Sequence, residues 1–150
     1  MTKKKIMVGW REWVSLPELG INRIKAKIDT GAKTSALHAF DVKLKTEGNK
    51  RIAVFKIHPH QDDLDTVINC TAEVFDERTV TDSGGHKEKR LVILTPIKIC
   101  NKTIKCEVTL TDRDTMMFRM LVGRTTLNPY FTVDPQESYL AQPDLNERDV

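Results

Sequence analysis

The stretch "KIDTGAKTSAL" (27–37) sets a carboxylate, hydroxyls and a lysine around a single glycine. Two chemistries use such a set. Lys33 and Thr34 behind a small-residue turn suggest a phosphate loop. That loop needs G-x-x-x-x-G-K-[ST], because its glycines let backbone N–H groups wrap a phosphate ahead of a helix. Ala32 stands where the glycine before the lysine is required, and no strand–helix–strand pattern surrounds it. Asp29-Thr30-Gly31 suggests instead a carboxylate held in a strand-ending turn, with Gly31 permitting close backbone approach. Such a carboxylate works in pairs. Two of them a few ångströms apart share one proton, so the charged one activates a water and the protonated one donates to a carbonyl oxygen. Their titration then belongs to the pair. By itself the tripeptide also reads as an ordinary turn, so the rest of the chain must give it weight.

The elements that position it are short and alternating. "RIKAKID" (23–29) puts Ile24, Ala26 and Ile28 on one face and Arg23, Lys25 and Lys27 on the other, the period of a half-buried strand. "KIMVGW" (5–10), "RIAVFKIHP" (51–59), "NCTAEVF" (69–75), "RLVILTPIKIC" (90–100) and "KTIKCEVTLTD" (102–112) repeat that style. "WVSLPELGI" (13–21) reads as strand then turn, and "GRTTLNPY" (123–130) as a short helix ending before Pro129. Many short strands with almost no amphipathic helix predict an all-β barrel or sandwich. Trp10 and Trp13 are expected to pack into the core. The polar tail "QPDLNERDV" is expected to fray.

The bulk properties exclude several classes. A chain of 150 residues suits one domain, residues 1–150, with its own core. A formal charge of +3, without a basic helix or aromatic-basic alternation, is no nucleic-acid footprint, and "TKKK" reads as a solvated leader. No run approaches the ~20 apolar residues of a membrane span. The basic start lacks an apolar run, so no signal peptide is expected and the expected compartment is the cytoplasm. Cys70, Cys100 and Cys106 are odd in number and widely spaced, against a disulfide framework. Cys100 and Cys106 flank "NKTIK", read as a hairpin with "NK" at its tip, and could face each other; reduced cysteines on neighbouring strands are expected. Four histidines invite a zinc reading, but there is no H-E-x-x-H and no CxxC, and "HPH" (58–60) is a weak ligand pair. His38 and His86 receive no ligand role, and no metal or cofactor is expected.

Late in the chain, "FRMLVGRTTL" (118–127) carries two apolar residues, a glycine and an arginine. Together "IDTGA" and "LVGRTTL" resemble, in that order, the retropepsins, the retroviral-type aspartic proteases. "VILTPIKICNKTIKCEVTLTD" is similar to that family's paired strands between flap and helix. The longer string "VGWREWVSLPELGINRIKAKIDTGAKTSALHAFDV" resembles a bacterial and archaeal branch catalogued as retropepsin-like, under the older name "ATP-dependent zinc protease". Some members of that branch are encoded with, or fused to, an ATP-grasp ligase that adds glutamates to a ribosomal protein. The resemblance covers residues 6–134.

It implies a closed retropepsin-like barrel with a flap hairpin and one short C-terminal helix. Asp29 would be catalytic, with Thr30 bracing two loops across the site and Gly31 completing the loop. Ala32 and Lys33 would line substrate, as would a flap tip at Ser83, Gly84 and Gly85 within "VFDERTVTDSGGHKEKRLV" (74–92), where a double glycine supplies positive φ. Gly123 and Arg124 would form the structural motif. Asp82 sits in Asp-Ser-Gly, the other acid-protease triplet. A second lobe would roughly double the chain, and only one "LVGR" is present, so Asp82 is read as a turn residue. One catalytic triplet per chain then implies a homodimer with Asp29 from each copy, to which "NPYFTVDPQESYL" (128–140) could contribute interface strands. In the retroviral enzymes the late arginine pairs with an acidic residue four positions after the aspartate. Here that position is Lys33, which leaves Arg124 to seek Asp41 or Glu12. The expected function is an aspartic endopeptidase acting on peptides or proteins. The alternatives are a non-catalytic module partnering the glutamate ligase and, third, a zinc-dependent hydrolase.

Overall fold

β-branched and apolar residues at every second position give this chain strands, and Gly, Pro and Asn punctuate them. The structure is a computed structural model and describes residues 5–61, 63–81, 84–112 and 118–141. In chain order the strands are β1 (Ile6–Leu16), β2 (Ile21–Ile28), β3 (Ser35–His38), β4 (Phe40–Glu47), β5 (Lys50–Ile57), β6 (Ile68–Thr81), β7 (Lys87–Ile99), β8 (Lys102–Thr111), β9 (Met120–Val122) and β10 (Phe131–Ser138). One 3₁₀ turn follows β1 at Pro17–Leu19, and α1 (Arg124–Leu127) separates β9 from β10. No helix among the described residues is long and apolar enough to cross a membrane.

The strands lie in the order β10-β1-β2-β9-β3-β8-β7-β6-β5-β4, and a contact between Ser15 of β1 and Lys98 of β7 closes the middle of this sheet into a ring. Ile24, Ala26 and Ile28 point into the ring as their alternation predicts, joined by Leu37, Val108, Met120 and Val122. Each of the larger ones, the Ile, Leu, Val and Met side chains, contributes about 1.5–3 kcal/mol when taken fully from water. On the outer side of β2, Arg23 and Lys25 stand over the Trp13 ring at 4.5 and 5.3 Å. Trp13 is buried and stacks on Tyr139, whereas Trp10 is only half-buried, edge-on to Phe118.

Long strands change partners along their length. β6 pairs with β5 through Glu73 and with β7 from Val74, the register shifting between Val74 and Asp76. Beyond that shift β6 and β7 form a two-stranded arm paired out to Thr81 and Lys87. This arm is the hairpin expected as the flap. Gly85 adopts φ +83° at its turn. Ser83 and Asp82 lie outside the described residues.

Several expectations are corrected. The β7–β8 turn is Cys100-Asn101, because Ile99 pairs with Lys102; "NK" is one residue late, and Cys100 rather than Asn takes φ +57°. Cys106 therefore lies opposite Thr95, not Cys100, and all three thiols are free. Residues 128–140 place β10 parallel to β1 of the same chain, Ile6 opposite Phe131, at the edge of the sheet among the described residues, where pairing with a second copy stays open. Ala141 is anchored and buried, so ordered packing extends past residue 134. The anchor is Glu12, wholly buried, which accepts hydrogen bonds from the N–H groups of Gly9, Leu140 and Ala141 at 2.6, 2.8 and 3.0 Å. β3, β4 and β9 went unread. For β4 a signal existed: Gly48-Asn49 forms a two-residue turn between Glu47 and Lys50, with Gly48 at φ +61°.

Candidate active site

The Asp29 loop forms where β2 runs out beside β9. The two strands pair in parallel from Ala26–Met120 to Ile28–Val122, and the Asp29 N–H donates to Val122 O at 2.9 Å, one step further. The chain then turns back. Ala32 N–H donates to Asp29 O at 3.2 Å, and Gly31 N–H donates to Asp29 Oδ1 at 3.0 Å. One carboxylate oxygen is thus fixed by the backbone. A Cβ on Gly31 would sit 3.3 Å from that same oxygen, which is why the smallest residue suits the position. Asp29 is half-buried, Ala32 likewise, and Thr30, Gly31 and Lys33 are exposed around it.

Gly123 and α1 clamp the loop from its other side. A Cβ at Gly123 would lie 2.7 Å from the Thr34 carbonyl carbon, so two backbones touch here and only glycine fits. The first N–H groups of a helix lack partners within it. In α1 those of Arg124 and Thr125 donate to Ala32 O and Lys33 O, at 2.9 and 3.1 Å, and Thr125 Oγ1 adds a second bond to Lys33 O at 2.8 Å. Arg124 Nη1 donates to Gly31 O at 3.2 Å and, at the limit of a hydrogen bond, to Thr30 O at 3.5 Å. This replaces the expected partners. Asp41 pairs with Lys56 and Lys43, and Glu12 is committed to the backbone. Backbone carbonyls do for Arg124 what an acidic side chain does in the retroviral pattern, so Lys33 leaves the clamp intact.

Beneath the clamp, Ser35 Oγ lies 2.8 Å from Thr126 Oγ1 and accepts from Gly123 N–H at 3.0 Å, all buried. Cys106 completes this floor; burial pushes its thiol up, and a hydrogen bond with Thr126 opposes that shift. A cleft of about 500 Å³ beside the loop is lined by Lys33, Thr34 and Thr125 together with Arg78 of the β6–β7 arm and Glu107 of β8. Arg78 Nη2 donates to Glu107 Oε1 at 2.6 Å and its Nε to Asp76 Oδ2 at 2.9 Å. Glu107 chiefly, then Asp76, raises the Arg78 pKa. The Asp76 carboxyl is held below its ordinary range by the Glu77 N–H and then by Arg78.

The structure therefore gathers Asp29, Thr30, Gly31, Ala32, Lys33, Gly123 and Arg124 into one assembly. Gly84 and Gly85 lie at the end of the β6–β7 arm. Sequence reasoning missed Ser35, Thr126, Arg78 and Glu107, whose partners are 29 to 91 residues distant. No three His, Cys, Asp or Glu side chains converge on a common point among the described residues, so this donor set does not fit a resident zinc ion.

Comparison with known proteins follows the same line. The family profile described as retropepsin-like aspartic endopeptidase RimB matches residues 7–144. A protein of Desulfotalea psychrophila named probable alpha-L-glutamate ligase is 42% identical over 131 residues, which is 87% of this chain and 28% of that protein. One of the same name from Shewanella pealeana is 39% identical over 140 residues, 93% of this chain and 30% of the relative. The chain thus spans under a third of the length of these curated relatives. The crystal structure of a Legionella pneumophila protein of unknown function superposes with a TM-score of 0.77 at 23% identity, covering 93% of this chain and 100% of the other, a likeness of fold.

Proposed function

This chain belongs to the RimB-like family of retropepsin-like aspartic endopeptidases, and from that premise we propose that it hydrolyses peptide bonds with Asp29 and the Asp29 of a second copy. The observation that carries the reading is the Asp29 loop: a half-buried carboxylate with Oδ1 fixed by Gly31 N–H, on a turn clamped by Gly123 and Arg124. Catalytic constellations need this rigidity, since small displacements of a reacting group are expensive.

In the proposed reaction two Asp29 carboxyls meet on a two-fold axis and share one proton. The charged carboxylate removes a proton from water as the water oxygen attacks the peptide carbonyl carbon. The protonated carboxyl gives its proton to the carbonyl oxygen. The tetrahedral adduct returns that proton to the dyad and collapses. Its C–N bond breaks and the departing nitrogen takes up a proton, leaving a carboxylic acid and an amine. Oδ1 is occupied by Gly31, so Oδ2 of each Asp29 carries the mobile proton. Thr30 braces the paired loops. Ala32, Lys33, Gly84 and Gly85 contact the substrate; Ser83, expected beside them, lies outside the described residues.

The relatives' name supports a working association with a glutamate ligase, on the same chain or a separate one. It also favours a second reading, in which the domain binds a ligase or its peptide without cutting. The test uses Asp29→Asn and a peptide panel that includes glutamate-extended chains. Under the first reading the wild type cleaves and the variant, equally folded, loses at least about a hundredfold in rate. Ligase binding with an uncut panel supports the second reading and removes the first.

A further inference from the structure

A second site lies at the opposite end of β3. Ser35, at one end of that strand, touches the active-site floor. His38, at the other, is roughly 10 Å away at the usual strand rise. There the ends of β3 and β8 and the start of β9 come together, and a pocket of about 390 Å³ opens, lined by His38, Phe40, His58, Leu64, Asp112 and Arg119.

Arg119 sets its chemistry. It is only 9% exposed, and its Nε–H has no hydrogen-bond partner among the described residues. An unpartnered buried donor is costly, the more so when it is charged. Proteins retain such a group where something else completes it. Its position is fixed, because Arg119 O accepts from the N–H of buried His38 at 2.8 Å. Thr111, in register with His38, has a buried hydroxyl that also lacks a partner among the described residues. The opposite wall is flat: the His58 ring stacks on Phe40 with centroids 4.3 Å apart and planes 12° apart, and His58 Nδ1 lies 3.3 Å from Thr66 O.

We propose that this pocket binds a carboxylate, with Arg119 as the anchoring fork. A guanidinium presents parallel N–H groups that match the two oxygens of a planar oxyanion. Asp112 lines the exposed mouth and repels a doubly charged phosphate more than a single carboxylate. The carboxylate belongs to a small acid or to a peptide, whose remainder lies against the Phe40–His58 face. This site is independent of the Asp29 reading and stands if Asp29 proves non-catalytic.

The test is NMR on the full chain, following the Arg119 Nε–H resonance during titration with benzoate, a singly charged planar carboxylate, with inorganic phosphate, and with chloride at matched ionic strength. Benzoate is expected to shift it saturably and, by binding only the folded state, to raise Tm. Asp112→Asn should tighten benzoate binding several-fold, and Asp29→Asn should leave it unchanged. Arg119→Gln, where it folds by circular dichroism, should lose the rise in Tm. Asp112 is exposed, so its variant decides the matter even if Arg119→Gln does not fold. No saturable shift beyond that given by chloride, saturation by phosphate alone, or no tightening in Asp112→Asn overturns the proposal.

Discussion

Ser35 Oγ and Thr126 Oγ1 stand 2.8 Å apart beneath the Asp29 loop, although 91 residues separate them in the chain. Ser35 also accepts from Gly123 N–H, so one hydroxyl ties the start of β3 to the glycine that clamps the loop. Removing either partner strands a buried group, at about 1–3 kcal/mol. Ser35→Ala and Thr126→Val should each destabilise the fold by that amount in urea melts. The double variant should lose less than the sum, because the bond is lost only once. Strict additivity would show the pair to be uncoupled.

Gly123→Ala should be worse than a helix-propensity scale suggests. Alanine favours helices, yet the new Cβ would press on the Thr34 carbonyl, which is backbone and cannot swing away. Overpacking of this kind costs about 1–3 kcal/mol. A lowered Tm together with lost cleavage is expected; an unchanged Tm would mean that the loop yields freely.

Glu12→Ala should release the end of the described chain. Its carboxylate satisfies the N–H groups of Leu140 and Ala141, and Trp13 next to it stacks on Tyr139. Hydrogen exchange at Leu140 and Ala141 should accelerate at least tenfold, far more than at the core amides of β2. Unchanged protection at residues 140–141 would place the anchor elsewhere.

Cys70 predicts an alkaline loss of stability. Burial pushes its thiol up to about 11 from an ordinary 9.0. The folded-state pKa is raised, so this group's contribution is complete below pH 9.0 and is lost as pH rises towards about 11. Stability curves at increasing pH should fall across that window, and Cys70→Ala should flatten the fall at the expense of a small cavity. An equal fall in the variant would assign it to other groups.

What could be read in the chain follows from what is local. The two-residue alternation of Ile24, Ala26 and Ile28 identified β2 and its buried face, and the glycine-bounded triplet after it identified the loop. Four-residue β3 and three-residue β9 are too short to show a period, yet β9 pairs with Asp29's own strand and β3 pairs with β9, and together they hold the loop. The Arg124 contact was misread because side-chain pairing was sought, and its acceptors are backbone carbonyls that every sequence carries. Glu12 reads in the sequence as a partner for Arg124; only the return of residues 140–141 makes it an internal acceptor of backbone N–H groups. Arg119 gave no sign at all, since burial of an arginine is a property of the closed sheet.

The central claim is that two Asp29 carboxyls, one from each copy, form a single catalytic unit. It is tested most directly by unfolding wild-type and Asp29→Asn chains together in varied ratios, refolding them, and measuring peptide cleavage against the wild-type fraction. A shared dyad predicts that mixed dimers are dead, so activity falls as the square of that fraction. A linear fall would mean that each chain works with its own carboxylate, and would contradict the account.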